Sequence, residues 1–167
     1  MALFCDLLTL VSVAKIEAIV AAGLRSQGYE PVVLLQSRSR HIERLFLATG
    51  PTRFVYFGDL VSDADRAAAS DAARRTIDAA GDINSITDLE VDGFRIGRNA
   101  ISLATRRLRV GHIDLDHATH LEVVRTALET SFTAAAAAGK LVRQLSPRLA
   151  IFCERGYSPA GEVFDAC

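Results

Sequence analysis

Glu30-Pro31-Val32-Val33-Leu34-Leu35-Gln36 is an unbroken run of β-branched and leucine residues, the pattern of a strand buried on both faces. Before it, Val13 to Gln27 repeats apolar residues at helical spacing, with Ile16, Ile19, Val20 and Leu24 expected inward and Gly28 as the stop. After it, Ser37 to Thr49 reads as a helix with Ile42, Leu45 and Phe46 inward, closed by Gly50-Pro51. Thr52 to Phe57 is the next strand, and Gly58-Asp59 its turn. This alternation predicts βαβ units around a parallel sheet. Leu3 to Leu10 fits a strand or a helix start equally well by periodicity.

Beyond residue 62 the composition changes. Asp63 to Ala80 is alanine, arginine and aspartate with Ile77 as its one large apolar residue, so a helix with a weakly buried face is expected. Asp82 to Gly97 is turn-rich, and Asn99 to Val110 resumes a basic helical pattern. Asp116 to Leu145 holds a long stripe of Leu121, Val124, Leu128, Phe132, Ala135, Val142 and Leu145. Pro147 ends that helix, Arg148 to Cys153 is a strand, and Ala160 to Cys167 opens a further helix with Pro159 in its first turn. The expected fold is α/β: a three-layer Rossmann-like domain over 1–167, with about four or five mostly parallel strands and a helical insert near 62–112. Ending two turns into a helix suggests the amino-terminal half of a longer protein.

The 167 residues carry 19 basic and 20 acidic side chains, with no block of like charge. This balance lacks the electrostatic footprint of nucleic-acid binding. Mean hydropathy is +0.21, yet much of it is alanine, including Ala134 to Ala138, and no stretch is long and apolar enough to span a bilayer. The start has no basic segment before its apolar residues, so a secretory signal is not expected. Cys5, Cys153 and Cys167 match no CxxC motif, which favours reduced thiols in a cytoplasmic protein, Cys5 and Cys153 being buried within strands. Arginine outnumbers lysine 17 to 2, and suits bidentate contacts to carboxylate or phosphate.

Glu154-Arg155-Gly156-Tyr157-Ser158-Pro159-Ala160-Gly161 joins the carboxyl end of a buried strand to a helix start, where ligands bind in open α/β sheets. There the helix amides favour an anion, Glu154 can accept or act as base, and Tyr157 can stack on a sugar or donate a hydrogen bond. A plain turn is the alternative, Gly156 and Pro159 shaping the backbone and Glu154 pairing with a neighbour. Gln36 to His41 stands at the same end of an earlier strand, so Arg38 and Arg40 either meet a negative substrate or are solvated. Asp92 to Ala100 places Gly93 and Gly97 before a helix but lacks the GxGxxG order and the Walker lysine. His112, His117 and His120 lie near Asp114 and Asp116 without HExxH or a clear fourth ligand. They read as surface or capping residues, with Asp114 or Asp116 as the N-cap, and no metal is expected. There is no GxSxG, so hydrolase chemistry is unsupported.

Three segments together resemble the amino-terminal, acceptor-side half of a bacterial GT-B glycosyltransferase of the capsule and surface-polysaccharide group. They are Gly23 to Leu35 with the helix before it, Phe94-Arg95-Ile96-Gly97-Arg98-Asn99-Ala100, and Pro147 to Gly161. The resemblance implies that Glu154, Arg155 and Tyr157 face the interdomain cleft, with Arg98 beside it; Ser158 of the same loop and Arg38 of the Gln36–His41 loop are further candidate substrate contacts. It departs at Cys5-Asp6-Leu7-Leu8-Thr9, where a glycine-rich loop would be expected.

By that resemblance the acceptor is a glycan or a lipid-linked molecule, and the protein sits in the cytoplasm, peripheral to the inner membrane face. No cofactor is implied for this chain, since a sugar-nucleotide donor would belong to a second Rossmann domain or a partner subunit. Transfer depends on orienting acceptor and donor across a cleft, so this chain alone is expected to be inert. The alternatives are a non-catalytic α/β binding or assembly module, in which the alanine-rich helix is a homo-oligomer interface, and a small complete α/β enzyme.

Overall fold

The computed structural model describes residues 1–167, which divide into two compact units. The first comprises Met1–Leu60, Leu141–Cys153 and Cys167, and the second Val61–Lys140 and Glu154–Ala166.

The first unit carries four strands, β1 (Ala2–Asp6), β2 (Pro31–Leu35), β3 (Arg53–Tyr56) and β4 (Leu149–Phe152), all parallel in the order β3-β2-β1-β4. The fold is therefore α/β with a Rossmann-like parallel sheet. Every residue of β1 and β2 is buried, which explains their uninterrupted apolar character. Ala2, Phe4, Val33 and Leu35 pack on helices α1 (Val11–Ser26) and α2 (Arg40–Leu47), where Phe4 meets Phe46 edge-on at 6.1 Å. The alternate residues Leu3, Cys5, Val32 and Leu34 are equally buried on the other face. Strand order reverses between β1 and β4, so their carboxyl ends form the topological switch point.

Helix α1 lies the other way round from the expectation. Its buried residues are Ala14, Glu17, Ala18 and Ala21, whereas Ile16 and Ile19 are 64% and 70% exposed and Val20 is exposed. Only Leu24 of the expected set packs against the core. Alanines admit close approach to the sheet, and that choice turns the isoleucines outward. The buried face also carries a carboxylate: Glu17 is 5% exposed and Asp6 only 2%, and three of their four oxygens lack a hydrogen-bond partner. Arg25 ends α1 by donating to the carbonyls of Thr49 (2.6 Å) and Pro51 (3.0 Å), filling the space that a side chain at Gly50 would need. A second correction concerns Cys153, which lies beyond the end of β4 and is exposed, while Cys5 is buried as expected.

The second unit is helical: α3 (Asp63–Ala79), α4 (Ile83–Thr87), α5 (Ile96–Leu108), α6 (Ala118–Leu145) as far as Lys140, and α7 (Ala160–Ala166). It extends well past the expected 62–112 insert. Capping boxes start α3 (Ser62 with Asp65) and α4 (Asp82 with Ser85). Helix α4 interrupts the stretch read as turns because Ile86 is fully buried against Ile96, Ala100 and Val124. On α6, Val124, Leu128 and Leu145 of the expected stripe are buried, and Ala127, Ser131, Ala134 and Ala138 join them. Leu121, Phe132 and Ala135 are half-buried, since alanine again forms the closest contacts. The α6 start is capped by His117, whose Nδ1 accepts from Thr119 N–H at 3.2 Å, and not by Asp114 or Asp116. His120 Nδ1 accepts from Asp114 N–H at 3.1 Å, so both rings serve the turn.

Candidate functional site: an arginine-lined cleft

Asp92 and Gly93 both adopt positive φ (52° and 83°), and Val91 and Phe94 exchange two backbone hydrogen bonds across them. This is the mirror-image turn that Asp-Gly favours, and it delivers Arg95 to the start of α5. Gly97 follows at a close approach, where a Cβ would stand 1.7 Å from the Ile86 carbonyl oxygen. The two glycines thus serve a turn and a contact between helices, not a phosphate loop. From that anchored start Arg95, Arg98, Asn99 and Ser102 share one face of α5.

That face and the loop before α7 enclose a cleft of about 420 Å³ lined by Arg95, Arg98, Asn99, Ser102, Arg155, Gly156 and Phe164. Asp165 of α7 is 4% exposed at the side chain and accepts from Arg95 through its backbone N–H (3.0 Å) and Nε (2.9 Å), with Nη2 closing the fork. Asn99 Nδ2 adds a bond to the same carboxylate at 3.2 Å. Asp165 therefore neutralises Arg95 and occupies the amino end of α5. A Cβ at Gly161 would lie 2.5 Å from Asn99 Oδ1, so only glycine lets α7 seat here.

Arg98 and Arg155 are exposed and take part in no ion pair; Arg155 lies over the Phe164 ring at 4.6 Å. Glu154 Oε1 accepts from the backbone N–H groups of Arg155 (2.9 Å) and Gly156 (3.0 Å), and its other oxygen is 3.9 Å from Arg106. Arg106 also covers the buried Tyr157 ring at 4.1 Å, so that ring face is taken by the protein itself. Ser158, 1% exposed, donates its N–H to the Asn99 carbonyl at 3.4 Å, and a cis peptide bond joins it to Pro159. Beneath lies Glu162, fully buried, with one oxygen bonded to Ser131; burial pushes its carboxyl up to about 7 against that hydrogen bond.

Of the residues singled out by sequence, Arg98 and Arg155 line the cleft, while Glu154, Tyr157 and Ser158 shape its loop. Arg38 belongs to the first unit, over the Tyr56 ring at 4.4 Å and 3.8 Å from Asp59. Arg95, Asn99, Ser102 and Phe164 were not anticipated. The spacing 95, 98, 99, 102 is helical, and starting α5 at the Asp92-Gly93 turn would have revealed it. The histidines form no metal-ligand cluster with acidic or thiol groups. No protein-family model, curated protein or solved structure matches this chain.

Proposed function

We propose that this chain is the acceptor-side domain of a sugar-nucleotide-dependent glycosyltransferase of surface-polysaccharide assembly, and that the arginine-lined cleft holds part of the acceptor. One observation carries the reading. The Phe94–Ala100 segment and the loop from Glu154, two of the three stretches on which the sequence resemblance rests, line a single cleft. Its volume suits a small molecule or one or two residues of a glycan. Ser102 supplies a hydroxyl of the kind that recognises sugar hydroxyls, Arg98 and Arg155 supply charge, and Phe164 supplies an apolar wall. On this reading the donor is bound elsewhere, by a second domain or a partner subunit, and the chain contributes acceptor orientation.

Thermal melting of the 167-residue chain with a panel of acidic and neutral oligosaccharides, and separately with sugar nucleotides, tests this. An acceptor-class glycan that binds the folded state raises the Tm by mass action, and Arg98→Ala abolishes the rise. Sugar nucleotides alone yield no turnover. A flat response to every glycan, or turnover by this chain alone, refutes the proposal.

The outward-facing Ile16 and Ile19 of α1 favour a second reading, a non-catalytic assembly module. A mass that rises with concentration in analytical ultracentrifugation, and falls back in Ile19→Lys, supports that reading.

A further inference from the structure

Within the cleft, Arg98 and Arg155 bring two guanidinium groups from separate elements, the first turn of α5 and the loop before α7, with no carboxylate paired to either. The third arginine, Arg95, is already matched by Asp165. At the same loop two successive backbone N–H groups, of Arg155 and Gly156, converge on one oxygen at 2.9 and 3.0 Å. Two backbone amides donating to one charged oxygen hold an anion at this loop. The anion now held there is the chain's own Glu154 carboxylate, whose side chain is about one-third exposed (36%) and so has solvent to swing into.

We propose that this cleft binds a phosphate group and that Glu154 is its resident competitor, holding the two amides that a ligand phosphate oxygen takes on entry between Arg98 and Arg155. The inference rests on the acceptor-site reading and names the charged group the acceptor carries. Charge and geometry both select phosphate over carboxylate. A phosphate monoester carries a charge of about −1.5 to −2 near pH 7, matching two unpaired guanidiniums. One arginine fork uses both oxygens of a carboxylate, whereas the three terminal oxygens of a phosphate can serve two forks and the two amides together. A cleft of about 420 Å³ far exceeds a bare phosphate, which leaves room for the sugar or lipid portion attached to it.

The test is a titration of the ¹⁵N-labelled chain at constant ionic strength, following the backbone amide signals of Arg155 and Gly156. The probes are inorganic phosphate, a hexose 1-phosphate, and, by co-sedimentation, phosphatidic-acid vesicles against phosphatidylcholine vesicles. The expected result is a saturable shift of both amides. Arg98→Ala weakens binding about tenfold, and Glu154→Gln, which keeps the shape and removes the competing charge, tightens it by a similar factor. Binding of the free phosphates without the vesicles assigns a water-borne phosphate ester, and binding of the vesicles assigns a lipid-linked one; each supports the phosphate site. Arg98 and Arg155 are both exposed, so their alanine variants keep the core, which circular dichroism checks. The proposal is overturned if no phosphate source shifts these amides, or if Arg98→Ala and Arg155→Ala bind as the parent does. Saturable binding of glucuronate or a neutral glycan without phosphate binding also overturns it, while leaving the acceptor reading intact.

Discussion

Replacing Glu17 with glutamine is expected to change how stability depends on pH. Glu17 is packed among Ala14, Ala18 and Ala21 on the inner face of α1, with neither carboxylate oxygen hydrogen-bonded. Burial first, and the charge of Asp6 second, push its carboxyl from the ordinary 4.5 up to about 8. Asp6 is raised as well, by its own burial, against the hydrogen bond it accepts from Thr9 N–H at 3.1 Å. Between pH 4.5 and 8 the folded chain holds a proton at Glu17 that the unfolded chain has released. Stability is therefore full below about pH 4.5, falls across that window and levels off above pH 8. At about 1.4 kcal/mol per pH unit, a displacement of about 3.5 units amounts to about 5 kcal/mol, a large share of a small domain's total. Glu17→Gln keeps the volume and removes the titration. Urea unfolding followed by circular dichroism at pH 5, 6, 7, 8 and 9 measures the difference. The variant is expected to match the parent within about 1 kcal/mol at pH 5 and to exceed it by about 3 to 5 kcal/mol at pH 9. Parallel stability curves for the two proteins across this range would refute the reasoning.

Three further outcomes are expected. Gly97→Ala destabilises the second unit by about 3 kcal/mol, because the new methyl meets the Ile86 carbonyl at 1.7 Å, and a lowered Tm checks it. Asp165→Asn costs about 2 kcal/mol by removing the charge that pairs with Arg95 and sits at the amino end of α5, visible as a drop in urea midpoint. Under native conditions iodoacetamide modifies Cys153 rapidly, whereas Cys5, buried in β1 with its thiol pushed far up by burial and by nearby Glu17, reacts only after unfolding; peptide mass spectrometry distinguishes them.

Much of the sheet is legible locally. Val32 to Leu35 is an uninterrupted β-branched and leucine run between two amphipathic segments, which reads as a strand with both faces covered, and Gly28, Gly50 and Pro147 mark boundaries that lie within a few residues of the observed ones. Helix α1 shows where that reading stops. Periodicity locates a stripe, but Ile16-Ile19 and Ala14-Ala18-Ala21 are both at helical spacing, and only the closeness of the sheet decides that the small set goes inside. Glu17 follows the alanines inward for the same reason, against its own solvation.

The candidate site divides in a similar way. Sequence alone determined that Arg98, Arg155 and Glu154 belong to segments next to helix starts, because glycine, proline and the Asp-Gly turn act through local backbone geometry. Only the tertiary structure decided that Arg98 and Arg155 share a cleft, that Asp165, about seventy residues away in sequence, neutralises Arg95, and that Arg38 stands in the other unit. Side-chain charge and hydrogen bonding act over a few ångströms of space, and the distance between two residues along the chain does not set that separation until the core has packed.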